Sequence, residues 1–147
     1  MTIGTLKLPW PRYGIRTGIY EGNIYSVTKT CPLDTGLFTM YHAYKAGTTK
    51  FRQLFESVDL PVYETIRRTF QLVDSDGWTS ARLYWLLRHN LLTTTNEDGV
   101  FDIENTWHNI VFEFVKPMQE YQINSECSCV VCPKRRRQKT SVDISLS

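Results

Sequence analysis

The sequence predicts an α+β fold, and three successive stretches of the chain indicate it. Residues 1–30 combine prolines, glycines and β-forming side chains, which favours a loop followed by a hairpin. Residues 31–117 carry apolar side chains at three- and four-residue spacing, which is typical of helices. Residues 118–147 hold a cysteine cluster, a basic run and an alternating segment that is typical of a strand. We expect one domain over residues 1–147, and an incomplete one, because a final strand needs partners.

Turn-forming residues divide the β-rich start. Glu21-Gly22-Asn23 separates two short runs of isoleucine, tyrosine and valine, as a hairpin turn does. The hairpin leads directly to Cys31, where the helical pattern begins.

Four helices are predicted in succession from Cys31, and a fifth follows nearer the C-terminus. The first begins at Cys31-Pro32, since proline suits a first helical turn, and it ends before Gly47. The others are expected over Thr49–Val58, from Pro61 to the break at Asp74-Ser75-Asp76-Gly77, and over Thr79–Leu91. A fifth helix is expected over Asn105–Val115, with Trp107, Ile110, Val111 and Phe114 buried and Pro117 ending it.

Composition and charge narrow the function classes. The 147 residues are 41% hydrophobic and 22% charged, with a net charge of +2. Five of the 17 basic residues lie between Lys134 and Lys139, which leaves 12 basic against 15 acidic residues elsewhere. This argues against a protein whose whole surface grips nucleic acid. Neither a transmembrane run nor a secretory signal is recognisable, so we expect no membrane association and a cytoplasmic or nuclear location.

Cys31 is the best candidate for a nucleophile. A thiol near a helix N-terminus meets free N–H groups and the positive end of the helix dipole, and both favour thiolate. The alternative is a small buried hydrophobic residue beside a helix cap.

The segment Cys31-Pro32-Leu33-Asp34-Thr35-Gly36-Leu37 resembles the cysteine box of the ubiquitin-specific proteases, a papain-like family of cysteine peptidases. It is most similar to SUMO-type and transposon- or virus-borne members, and Cys31, Asp34, Thr35 and Leu37 match the motif. Before the cysteine, where the family has Gly-Asn-Thr, this chain has Thr28-Lys29-Thr30. The resemblance implies the fold of the helical N-terminal lobe of such a peptidase. It also implies attack by the thiol on an isopeptide bond to ubiquitin or a ubiquitin-like modifier. Thr30 and Asp34 would then have an oxyanion or orienting role.

A knuckle of cysteines near the C-terminus suggests a structural zinc site. Cys127, Cys129 and Cys132 place three thiols within six residues, as thiolate metal sites do. The fourth ligand could be His108, Glu126 or a residue outside the chain; incidental clustering or a reducible pair is the alternative. The family resemblance extends here, because its fingers region also has a cysteine pair, then polar and basic residues, then a strand like Val142–Leu146.

No histidine in the sequence is a convincing base. His42 would lie on the helix of Cys31 at roughly 16 Å, His89 suits a helix C-terminus, and His108 lies on a mostly apolar helix. In the family the histidine follows the fingers, so this chain is expected to end before it and could lack activity. The competing hypothesis is a non-enzymatic zinc-knuckle module of a mobile element or virus. Its basic run would contact nucleic acid or a partner protein, or act as a nuclear-import signal; the run comprises Lys134, Arg135, Arg136, Arg137 and Lys139.

Overall fold

The computed structural model describes residues 2–3, 6–57, 59–115, 121–129, 131 and 136–141. The chain is a mixed α+β protein, as the sequence predicts. It divides into two compact units, residues 1–114 and residues 115–147.

The first unit begins with β-structure. β1 (Thr2–Ile3) pairs with β2 (Leu6–Lys7), and β3 (Ile15–Tyr20) pairs antiparallel with β4 (Asn23–Thr28). Positive φ angles at Glu21 (48°) and Gly22 (78°) give the two-residue turn a twist that matches the strands. The predicted hairpin is confirmed. A short β5 (Phe101–Asp102) then adds parallel to β4, with Val27 opposite Phe101.

Four helices follow in the predicted order. They are α1 (Cys31–Ala46), α2 (Thr49–Ser57), α3 (Pro61–Ser75) and α4 (Trp78–Arg88). Pro32 and Pro61 lie in the first turns of α1 and α3, where the missing N–H is not needed. Gly77, with φ of 94°, separates α3 from α4 in a backbone conformation that other residues rarely adopt.

The core of this unit forms where the helices meet the hairpin. Leu33 and Leu37 of α1, Ile66 of α3 and Leu83 of α4 are completely buried. β3 packs closely on α4, because a Cβ added at Gly18 would lie 2.8 Å from the side chain of Thr79. α1 packs on the other helices, where the ring of Tyr41 meets those of Phe70 in α3 and Trp78 in α4.

The predicted fifth helix differs from expectation. Residues His108–Phe112 form a π-helical turn, and α5 covers only Glu113–Val115. The indole N–H of Trp85 donates to the carbonyl of Ile110 at 2.9 Å, so this carbonyl has a partner from outside the segment. Ile110 and Val111 are buried as predicted, but Trp107 is 47% exposed, and its predicted burial is wrong.

The described part of the second unit is a hairpin. β6 (Tyr121–Glu126) pairs antiparallel with β7 (Arg136–Ser141), with Glu126 opposite Arg136. β7 begins within the basic run itself, and the strand expected over Val142–Leu146 is not among the described residues. Residues 142–146 lie outside the described residues, as do Cys132, Lys134 and Arg135. Among the described helices, none is both long and apolar enough to cross a membrane.

Candidate functional site

Cys31 lies directly after a sharp connection between a strand and a helix. β4 ends at Thr28, two residues follow, and α1 begins at Cys31. Lys29 has a φ of 59°, and Thr30 has φ −77° and ψ −4°. A left-handed conformation costs a residue with a side chain roughly 1–2 kcal/mol. This strained elbow, residues Thr28–Cys31, turns the chain so that Cys31 is exposed at the head of α1.

A shallow, open pocket of about 290 Å³ adjoins the cysteine. Its walls come from three segments, the N-terminal loop, the elbow and the chain after β5; they are Tyr13, Lys29, Cys31, Pro32, Glu104 and Asn105. The pocket thus contains one thiol, one phenol ring, one ammonium group and the polar groups of two further side chains.

Lys29 is held at both its backbone and its side chain. Its N–H donates to the hydroxyl of Tyr13 at 3.1 Å, while its ammonium contacts Asp102 at 2.9 Å and also Glu104. Hydrogen bonds to Glu104 and Asp102 raise the pKa of Lys29. In return, the hydrogen bond from Lys29 and one from the backbone N–H of Glu104 lower the pKa of Asp102. These contacts hold the elbow against β5 despite its strained backbone.

Beneath the elbow lies a closed cycle of four hydrogen-bonded residues, here called the buried ring: Gly14, Thr30, Asp34 and Arg82. The N–H of Gly14 donates to the hydroxyl oxygen of Thr30 (2.7 Å), which donates to Oδ2 of Asp34 (2.7 Å). Nη1 of Arg82 donates to Oδ1 of Asp34 (2.9 Å), and Nη2 reaches the carbonyl of Gly14 (3.3 Å). The side chains of Arg82 and Asp34 are 3% and 9% exposed. Burial raises the pKa of Asp34 more than Arg82 and Thr30 lower it.

Thr30 and Asp34 are close to Cys31, as the sequence analysis expects, but neither lines the pocket. Both carboxylate oxygens of Asp34 are engaged inside the protein, with Thr30 and Arg82. An orienting role fits this placement better than contact with a substrate oxyanion does.

The three histidines lie in different surroundings, and within the described residues none lines the pocket. His42 lies about three turns along α1 from Cys31, with its ring centroid 6.5 Å from that of Phe38. The ring of His89 packs against aromatic side chains, and its centroid lies 3.9 Å from that of the Phe114 ring. Nε2 of His108 contacts the carboxylate of Glu113 at 2.6 Å on an exposed surface. The structure therefore gives Cys31 no histidine partner among the residues it describes.

The knuckle residues belong to the second unit. Cys127 and Cys129 are exposed free thiols that directly follow β6, and Cys132 lies outside the described residues. The part of the chain that the structure describes contains no group of three or more metal-ligating side chains. Of the basic run, Arg136, Arg137 and Lys139 lie on β7.

Sequence reasoning missed two residues at this site, Arg82 and Tyr13. Arg82 follows Trp78 by four residues and precedes Leu86 by four, so its helical phase placed it on the buried stripe of α4. Tyr13 gave no comparable signal, because a tyrosine in a proline-rich loop has no periodicity to place it. Comparisons with known protein families, with curated proteins and with solved structures found no match to this chain.

Proposed function

We propose that Cys31 is the nucleophile of a cysteine peptidase-like domain that attacks isopeptide bonds to ubiquitin or a ubiquitin-like modifier. One observation carries the proposal: an exposed thiol lies at the head of α1, at the end of a strained elbow that buried polar contacts hold in place. Strained backbone persists only where its surroundings over-determine it, and such strain is concentrated at functional sites.

The chemistry follows that of thiol acyl transfer. The thiolate of Cys31 attacks the isopeptide carbonyl carbon, and the C–N bond breaks as the lysine amine takes up a proton and leaves. The resulting thioester is hydrolysed by water, which releases the modifier with a free carboxylate and restores the thiol. No base is assigned to Cys31, because none of the three histidines adjoins the pocket in the described part of the chain.

The test uses ubiquitin and SUMO whose C-terminal carboxyl is replaced by a vinyl sulfone, which forms a stable thioether with a nucleophilic cysteine. We expect a covalent adduct with one of the two probes, visible as a gel shift. The adduct should be absent from Cys31→Ser and retained in Cys127→Ser and Cys129→Ser, which remove the two other thiols that are exposed in the described part of the chain. The proposal is wrong if Cys31→Ser forms as much adduct as the unmodified protein. It is also wrong if the unmodified protein forms an adduct with neither probe.

A second candidate function has its own supporting observation. The β6–β7 hairpin carries two exposed thiols after one strand and three basic residues on the other, Arg136, Arg137 and Lys139. This arrangement suits a zinc knuckle that contacts nucleic acid through its basic strand. Under that function, the zinc-loaded protein shifts RNA or DNA at moderate salt while Cys31 remains unmodified by either probe.

A further inference from the structure

The buried ring links the two sides of the Cys31 pocket through one arginine. On one side, Arg82 acts through Asp34 on Thr30, the residue immediately before Cys31. On the other side, its Nη1 and Nη2 donate to the carbonyls of Arg12 (2.7 Å) and Gly14 (3.3 Å), which flank Tyr13 in the pocket wall. The guanidinium group therefore contacts the N-terminal loop directly and is linked to the elbow through Asp34 and Thr30.

From this arrangement we infer that Arg82 is a positioning residue of the Cys31 site. It works through the buried ring to fix the distance and orientation between the thiol of Cys31 and the phenol wall of Tyr13. The inference rests on the proposed function and adds to it a residue 51 positions further along the chain.

Two features favour positioning over general stabilisation. A buried ion pair is poor evidence for stability, since well-packed apolar side chains often stabilise a fold equally well. The ring is also closed: every polar atom that joins Gly14, Thr30, Asp34 and Arg82 has a partner within it, at 2.7–3.3 Å. A fully satisfied polar network rigidifies its surroundings and specifies one arrangement of them. A reacting group needs such rigidity, because a displacement of about 1 Å can lower a rate by about a hundredfold.

Thr30→Val is the most informative variant, because it keeps the shape of a completely buried side chain and removes the hydroxyl at the centre of the ring. We expect its maximal rate of adduct formation with the reactive modifier probe to fall by about tenfold to a hundredfold. The probe concentration giving half that rate should change little, since the modifier's wider binding surface is intact. Thr30→Ser restores the hydroxyl and should restore the rate.

A double variant and a control variant complete the test. Arg82→Met combined with Asp34→Leu removes both charges together, so the fold has no unpaired buried charge, and the rate should fall as in Thr30→Val. Lys45→Met serves as the matched control. Lys45 lies in the last turn of α1, the helix that begins at Cys31, and the substitution removes its ion pair to Asp74. The rate of this variant should equal that of the unmodified protein. Circular dichroism checks that each variant is folded.

The outcomes separate the two claims. If the unmodified protein forms the adduct and both the Thr30→Val and the double variant react at the same maximal rate, Arg82 is not a positioning residue and the proposed function stands. If the rate falls but Thr30→Ser fails to restore it, the hydroxyl is not the link and the inference is also wrong. If the unmodified protein forms no adduct with either probe, the proposed function and the inference fall together.

Discussion

His89 provides the clearest expectation for the pH dependence of folding. Its ring lies 3.9 Å from that of Phe114 and 4.4 Å from that of Trp85, and its Nε2 is buried without a hydrogen-bond partner among the described residues. Burial, with a smaller effect from the charge of Arg88, lowers the pKa of His89 from 6.5 to about 4. The folded protein therefore resists protonation of this ring.

The sign and size of the effect follow from linkage. As the pH falls below 6.5, the unfolded chain binds a proton at His89 while the folded chain does not, so the free energy of unfolding decreases until the pH reaches about 4. A full shift of that size corresponds to about 3.4 kcal/mol. The ring is only partly buried, and solvent screening reduces the expected loss to about 1–2 kcal/mol.

Urea unfolding between pH 7 and pH 4, followed by circular dichroism, measures this loss. The matched variant is His89→Phe, which keeps an aromatic ring against Phe114 and Trp85 and cannot bind a proton. Carboxylates titrate in both proteins, so the difference between the two pH profiles isolates His89. We expect the unmodified protein to lose about 1–2 kcal/mol more than His89→Phe over this range. Parallel profiles would show that burial of His89 does not disfavour its protonation, and the reasoning would be refuted.

Three further results are expected. Gly36→Ala should lower the free energy of unfolding by about 1–3 kcal/mol, because the added Cβ would lie 2.8 Å from the side chain of Val111. The control, Thr35→Ala on the exposed side of the same helix, should change it little. Equal urea midpoints for the two variants would contradict the close packing of Gly36 on Val111. In a double-mutant cycle, Asp34→Leu alone should lower the free energy of unfolding by about 3–5 kcal/mol, and adding Arg82→Met should recover part of that loss. Strictly additive changes in this free energy would mean that the two charges do not interact. A chelator should release about one zinc ion per chain from protein purified with zinc, and undiminished zinc in Cys127→Ser would exclude the knuckle as its site.

Local sequence signals predicted much of the fold. Pro32 and Pro61 marked helix starts, Gly77 marked a helix break and Glu21-Gly22 marked the hairpin turn, and each of these signals depends only on backbone conformation nearby. For the same reason the two-residue β5 went unnoticed. Its pairing with β4 joins residues more than 70 positions apart, and two residues are too few to show a period.

The sequence placed Cys31, Thr30 and Asp34 of the candidate site, but it missed Tyr13 and Arg82 from other parts of the chain. Cys31 and its place at the head of a helix follow from residue order, but the role of Arg82 depends on which carbonyls surround it in the fold. Arginine is almost never fully buried without a partner, and the partners Arg12, Gly14 and Asp34 lie far from Arg82 in the chain. Trp107 was predicted to be buried because of its helical spacing to Ile110 and Val111, but a π-helical turn follows it and Trp107 is half exposed.

The most direct test of the central claim, that the fold makes Cys31 a reactive nucleophile, compares the alkylation of individual cysteines by a small reagent. Chloroacetamide is added to the folded protein and to the protein in concentrated urea, and mass spectrometry of the peptides gives the rate at each thiol. In the folded protein we expect Cys31 to react at least about tenfold faster than Cys127, which is also exposed. In urea the two rates should converge. Equal rates in the folded protein, or a faster rate at Cys127, would contradict the account.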